Sequence, residues 1–135
     1  MISYYTAIIF ISVFSMIIMT WGAESNSFMP LTQKRTFQLL FYLLILANLS
    51  EWLATTLNGY PSDTRIIHIT AKFSEFILAP AIPIVCAQAI GGHKNIKFMS
   101  IPVIMNFMLQ VLSLFTGIVF TINSENIYVR GSFYY

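Results

Sequence analysis

Residues 2–21 read ISYYTAIIFISVFSMIIMTW and contain no charged side chain. A helix rises 1.5 Å per residue, so a run of about 20 apolar residues crosses the hydrocarbon core of a bilayer. Three further runs of similar character follow at about 36–57, 66–90 and 98–121. The sequence therefore predicts an all-α fold, an integral membrane bundle of about four transmembrane helices. It forms a single domain over residues 1–135, with a polar tail at 122–135 that is too short to span.

The composition supports a lipid environment. Hydrophobic residues make up 57% of the chain and charged residues 9%, whereas soluble domains carry about 25% charged residues. The predicted partner is thus the lipid bilayer. A net charge of +2 without a basic run gives no basis for nucleic-acid binding.

The motifs of common catalytic and metal sites are not found in the sequence. The single cysteine, Cys86, excludes an internal disulfide and a cysteine-based zinc site. The sequence contains neither a glycine-rich phosphate loop nor a nucleophile elbow. We therefore predict no catalytic residues, no metal, no cofactor and no enzymatic activity for the chain itself.

The basic residues predict the orientation. The loops at 22–35 and 91–97 hold four of them, while the second loop and the tail hold Arg65 and Arg130. Because cytoplasmic loops carry an excess of Lys and Arg, the first and third loops are predicted to be cytoplasmic. Both termini then lie outside, and the chain is a multi-pass protein of the cytoplasmic membrane.

Three ionisable side chains fall inside predicted spans: Glu51, Lys72 and Glu75. Each costs about 2.5–3.5 kcal/mol at the centre of a membrane helix, so each is expected to face the interior and to be paired. Glu51 and Lys72 lie at nearly the same depth, and Glu75 is one turn deeper on the face of Lys72. A Glu51–Lys72–Glu75 cluster is therefore predicted.

Other polar residues extend this cluster along three helices. Asn48 shares the face of Glu51, His68 shares the face of Lys72, and Asn106 and Gln110 form a stripe on the fourth helix. Three polar stripes predict a common interior joined by interhelical hydrogen bonds. This interior is either structural, fixing the register of the helices, or a pocket for an unknown small ligand or a signal relay. A proton or ion path is a third interpretation.

Two prolines, Pro80 and Pro83, lie in the third helix just beyond the charged cluster. Proline removes a backbone donor and is expected to kink or break a helix. The pair is therefore a candidate hinge, and accommodation of packing is the alternative.

Several stretches resemble a known family. Residues 72–83 read KFSEFILAPAIP, residues 115–122 read FTGIVFTI, residues 126–131 read NIYVRG, and the chain closes on Phe133-Tyr134-Tyr135. These runs are similar to the multi-helix membrane input domain of bacterial GGDEF-type diguanylate cyclases and related sensor kinases. The resemblance covers most of the chain from about Arg35. It includes charged residues within a span and an outer-loop motif of Asn126, Tyr128, Arg130 and Gly131.

The resemblance implies a seven-helix N-terminal sensor joined to a cytoplasmic output domain. With four spans, we expect the chain to be the front part of a longer sensor, whose partners would be the missing C-terminal helices or another subunit. The leading hypothesis is a sensory or signal-relay module without catalytic activity. The alternatives are a small transport or channel subunit and a purely structural membrane assembly partner.

Overall fold

The computed structural model describes residues 2–91 and 96–134 and contains four long helices. They are α1 (Ile2–Ser25), α2 (Leu31–Leu57), α3 (Arg65–Ala89) and α4 (Ile96–Thr116). Each includes a segment long and apolar enough to cross a membrane, with mean hydropathy between 1.5 and 2.0. The predicted all-α membrane bundle of four helices is confirmed.

Each helix packs chiefly against the next one along the chain, and α2 lies between α1 and α3. Small side chains allow the closest approach: Ser50 and Ala54 of α2 and Ala71 of α3 are buried. Large apolar side chains such as Phe14, Ile104 and Leu112 are exposed. In a membrane chain these outward-facing residues contact acyl chains, so most of the apolar surface faces lipid and little of it forms a core.

α2 begins earlier than the sequence predicted. It starts at Leu31 directly after Pro30, so Lys34 and Arg35 belong to its first turns. The ammonium of Lys34 donates a hydrogen bond to the carbonyl of Glu24 in the last turn of α1, at 3.0 Å. A cation is favoured at the carboxyl end of a helix, so this contact joins the two helices. The helical bond from the amide of Lys34 to the carbonyl of Pro30, at 3.0 Å, begins α2 within the predicted loop.

α4 ends at Thr116, five positions before the predicted boundary at 121. Gly117 follows with a φ of +67°, the left-handed conformation that commonly ends helices. The hydroxyl of Ser113 then accepts hydrogen bonds from the amides of Val119 and Phe120, at 3.0 and 3.1 Å. These contacts turn the chain back, which is why the predicted last helical turn does not form.

Residues from the predicted end of the fourth span and from the predicted polar tail form a small β-hairpin. Strand β1 (Phe120–Ile122) pairs antiparallel with β2 (Tyr128–Arg130), so that Phe120 lies opposite Arg130. A short 3-10 turn, Ser132–Tyr134, follows. A two-stranded hairpin alone is marginally stable, so its stability depends on what it packs against.

The bundle has two distinct ends. One, called here the hairpin end, holds the start of α1, the α2–α3 loop (residues 58–64) and the hairpin. The other end holds the turn between α1 and α2, with Gln33 bonded to the carbonyl of Ala89 at 3.1 Å. The predicted loop at 91–97 belongs to this second end, and its residues 92–95 lie outside the described residues.

Candidate functional site

Asn126 lies at the centre of the hairpin end and is fully buried. Its side-chain amide donates to the carbonyls of Leu57 and Tyr60 and to the hydroxyl of Thr64, at 3.0–3.2 Å. The backbone carbonyl of Asn126 accepts from the backbone amide of Gly59 at 3.0 Å. Three side-chain bonds and one backbone bond thus fix the hairpin to the end of α2 and to the α2–α3 loop.

The backbone conformation of Asn126 explains why asparagine suits this position. Its φ is +59°, in the left-handed region that asparagine tolerates better than most residues. Nearby, the carboxamide oxygen of Asn123 accepts from the amides of Glu125 and Ile127 at 3.0 and 2.8 Å. Two asparagines, each bonded to backbone, therefore determine the shape of this turn.

His68 is the buried partner of Asn126 on α3. Its Nδ1 lies 2.9 Å from the carboxamide oxygen of Asn126, and no surface of the side chain is exposed. Because the amide nitrogen of Asn126 faces three acceptors, its oxygen must accept, so Nδ1 of His68 carries the proton. Nε2 is buried and has no hydrogen-bond partner among the described residues.

Lys72 and Glu75 form the charged part of the site. Their side chains make an ion pair of 2.8 Å along one face of α3, with 15% and 26% of the side chains exposed. The ammonium also lies 5.0 Å from the ring centre of Tyr128 and 6.0 Å from that of Phe76. Aromatic faces attract a cation at these distances. The hairpin therefore covers the buried charge.

The aromatic rings over Lys72 belong to a continuous stack. Phe76 of α3 stacks on Phe120 of β1 with a centroid distance of 5.4 Å, and Phe120 stacks on Tyr128 of β2 at 6.4 Å. Each strand thus contributes one ring to the stack on α3. The apolar contact and the Asn126 bonds hold the hairpin in one orientation.

Glu51 does not join this cluster, and this part of the prediction is wrong. Its side chain is exposed, and no ion pair links it to Lys72 within the described chain. It lies beside Tyr5 and Thr55 instead. Successive helical residues are about 100° apart, so burying Ser50 against α3 turns Glu51 toward α1.

The rest of the α2 polar stripe also faces α1. The side-chain amide of Asn48 lies 3.8 Å from the sulfur of Met16 and bonds the carbonyl of Leu44 at 2.8 Å. The indole of Trp52 donates to the hydroxyl of Thr6 at 3.2 Å. A single interior lined by three polar stripes is therefore not formed. The polar stripe of α2 faces α1, whereas the stripes of α3 and α4 face each other.

Asn106 and Gln110 are brought together on α4, as predicted. Asn106 donates to the carbonyl of Phe76 at 2.9 Å, and Gln110 donates to the oxygen of Asn106 at 3.3 Å. Phe76 lies four residues before Pro80, so its carbonyl lacks the usual helical donor. Asn106 supplies that donor from the next helix. The side-chain oxygen of Gln110 is buried without a partner in the described chain.

The prolines do not break α3, which continues as a helix from Arg65 to Ala89. The bond from Asn106 compensates for Pro80, which agrees with accommodation by packing. The hinge at Pro80 and Pro83 stays a prediction.

Gly131 closes the hairpin against the end of α4. Its amide donates to the carbonyl of Val119 at 2.8 Å, and the residue is buried. A β-carbon at this position would overlap the carbonyl of Ile118. The outer-loop motif therefore has a structural basis: Asn126 bonds the loop, Tyr128 covers Lys72, Arg130 belongs to β2, and Gly131 allows close approach.

Sequence analysis missed two contributors to this site. Arg65 donates from Nε and Nη2 to the carbonyl of Ile122, at 3.1 and 2.8 Å, and Asn58 accepts from the amide of Tyr128 at 2.8 Å. The run Asn123-Ser124-Glu125-Asn126 is a turn signal that could have indicated a hairpin. Nothing in the sequence indicated its docking partner.

The site is an interlocked polar cluster. Among residues 2–91 and 96–134, no group of three His, Cys, Asp or Glu side chains could hold a metal ion. The cluster joins an extramembrane hairpin to an ion pair inside a span. In comparisons with protein-family models, curated proteins and solved structures, nothing matches the chain.

Proposed function

We propose that this chain is a membrane-embedded sensory or signal-relay module of a bacterial signalling protein. The observation that carries the proposal is the double attachment of the hairpin to α3. Asn126 bonds His68 at 2.9 Å, and the ring of Tyr128 covers Lys72 at 5.0 Å. A stimulus that moves the hairpin must change the environment of the Lys72–Glu75 ion pair.

The mechanism is a shift between two arrangements of the hairpin. With the hairpin docked, Lys72 is shielded by aromatic rings and paired with Glu75. With the hairpin displaced, the same charges face water or headgroups, and α3 adopts a different packing. A ligand shifts this equilibrium only if it binds one arrangement better than the other.

The proposed orientation places the hairpin end outside the cytoplasmic membrane. Lys34 and Arg35 lie at the opposite end, where Lys97 belongs to the first turn of α4, and Lys94 stands between α3 and α4 in the sequence. The excess of basic residues at that end supports a cytoplasmic assignment. Alkaline phosphatase fused after Tyr135 should be active, and a fluorescent protein that matures only in the cytoplasm should stay dark. An inactive phosphatase together with a fluorescent fusion would mean that the hairpin end faces the cytoplasm.

The sensory role is tested by neutralising the ion pair in the organism that encodes the chain. Lys72→Ala and Glu75→Gln, introduced on the chromosome, are expected to change intracellular cyclic di-GMP or the transcriptional response while the protein still reaches the membrane. Glu125→Gln is the matched control, because it neutralises an exposed glutamate of the same hairpin end. Unaltered signalling in both cluster variants at normal membrane levels would refute the proposal.

One observation favours a transport or channel subunit as a second candidate. Nε2 of His68 and the Gln110 oxygen are buried polar atoms without partners in the described chain, and a water-filled path would satisfy them. Cys86 is the single cysteine, so a Cys86→Ser background gives a clean accessibility scan. A transport path predicts reactive positions along α3 from both sides of the membrane. The sensory module predicts them at the hairpin end alone.

A further inference from the structure

A cavity of about 340 Å³ lies where α3, the end of α4 and strand β1 meet. Arg65 lines it together with the hydroxyl-bearing Thr116 and Thr121 and the apolar Ile69 and Phe115. Arg65 is the first residue of α3, so the cavity lies at the level where a membrane helix meets the headgroups. Its walls combine one cation and hydroxyl groups with apolar side chains.

The guanidinium of Arg65 is held in place by the protein on one edge. Nε and Nη2 both donate to the carbonyl of Ile122, which fixes the plane of the group. A guanidinium has five N–H donors. The edge formed by Nη1 and the second N–H of Nη2 therefore remains available for a further hydrogen-bond acceptor. Within the described residues no carboxylate pairs with Arg65. This edge is the one that binds carboxylate or phosphate with two parallel hydrogen bonds.

We propose that this cavity binds an anionic group, a phosphate or carboxylate, through the outer edge of Arg65. The hydroxyl of Thr121 can donate a further hydrogen bond to the anion, whereas that of Thr116 already donates to the carbonyl of Leu112 at 2.8 Å. Ile69 and Phe115 suit an apolar body attached to the anion. The anion comes either from the headgroup of a bilayer lipid or from a soluble molecule. The cavity shares Arg65 and Phe120 with the hairpin site, and binding of an anion there does not depend on the proposed sensory role.

Two variants test the site. Arg65→Gln removes the charge. Thr121→Phe fills the cavity and keeps the Arg65–Ile122 bonds, because Thr121 is an exposed residue between two buried ones on β1. Arg35→Gln at the opposite end is the matched control for loss of one positive charge.

The lipid arm measures retention of phosphatidylglycerol against phosphatidylcholine by native mass spectrometry of the purified full chain. Losing a charge-assisted bidentate contact is expected to weaken phosphatidylglycerol binding about tenfold in Arg65→Gln and Thr121→Phe, with Arg35→Gln unchanged. The soluble arm adds inorganic phosphate to the chain in phosphatidylcholine nanodiscs. A rise in Tm with the wild-type chain, absent in both site variants, assigns the anion to a soluble source.

Each result decides the proposal. If Thr121→Phe loses the preference for phosphatidylglycerol, the anion is a lipid headgroup; if it loses the rise in Tm with phosphate, the anion is a soluble molecule. Either loss supports the anion site. A wild-type chain without preference for phosphatidylglycerol and without a Tm response to phosphate would overturn it. So would a Thr121→Phe chain that matches wild type in both arms, since Arg65 would then serve only to cap Ile122. If Arg65→Gln fails to fold, Thr121→Phe carries the decision.

Discussion

Replacing Asn126 with alanine should detach the hairpin from the bundle. The change removes the amide that bonds Leu57, Tyr60 and Thr64 and leaves the Nδ1 proton of His68 without an acceptor. Each net hydrogen bond is worth about 1 kcal/mol, and an orphaned buried donor costs about 1–3 kcal/mol. Placing alanine at a φ of +59° adds about 1 kcal/mol. The amide has two N–H groups and so contributes two net bonds, which with the lower cost of the orphaned donor and the strained φ gives a fall in docking free energy of about 4 kcal/mol.

Hydrogen–deuterium exchange of the purified chain in nanodiscs measures this loss directly. The amide of Gly59 donates to the backbone carbonyl of Asn126, and the amide of Tyr128 donates to the side chain of Asn58, so both bonds join the loop to the hairpin. Because about 1.4 kcal/mol corresponds to a tenfold change, their exchange should accelerate by up to about a thousandfold. Amides in the middle of α2 should be unaffected.

Two further variants separate the loss of the side-chain bonds of Asn126 from the backbone strain at its positive φ. Asn126→Gly loses the same side-chain bonds but fits the positive φ, so it should be about 1 kcal/mol less destabilised than Asn126→Ala. Ser124→Ala changes an exposed residue of the same turn and should exchange like wild type. Unchanged protection of Gly59 and Tyr128 in Asn126→Ala would refute the assignment of Asn126 as the residue that holds the hairpin.

Two other substitutions probe the backbone contacts of the bundle. Gly131→Ala should also release the hairpin, because the new methyl group meets a backbone carbonyl. The control Gly22→Ala should leave the Tm unchanged, since no atom lies within 4 Å of its added β-carbon. A Gly131→Ala chain with wild-type exchange at residue 131 would contradict this. Asn106→Leu should lower stability by about 1–3 kcal/mol by leaving the Phe76 carbonyl unpaired. Adding Pro80→Ala should restore part of the loss by supplying a helical donor, and a double variant no more stable than Asn106→Leu would exclude that cause.

The four helices could be predicted because hydrophobic length alone decides whether a segment can span a bilayer. The pairing of Lys72 with Glu75 could also be predicted, since both lie on one helix at a spacing fixed by helical geometry. Asn106 and Gln110 followed from the same periodicity. Local geometry and burial therefore determine this part of the site.

The position of Glu51 could not be predicted, because it depends on how α2 is rotated between two neighbours. Helical periodicity gives the faces of a helix without saying which neighbour each face meets. The docking of the hairpin was missed for a related reason. Asn126 bonds Leu57 across 69 positions of sequence, and no local pattern encodes such a contact.

The long sequence separation between Asn126 and the α2–α3 loop affects the order in which the protein assembles. Adjacent helices contact one another along the chain, so α1 to α3 can associate as each is inserted, with little loop-closure entropy to overcome. The side-chain amide of Asn126 reaches the carbonyls of Leu57 and Tyr60 only when residues 117–131 have been synthesised. Until then that loop is hydrated and accessible, and a protease acting on the nascent chain would cut there first.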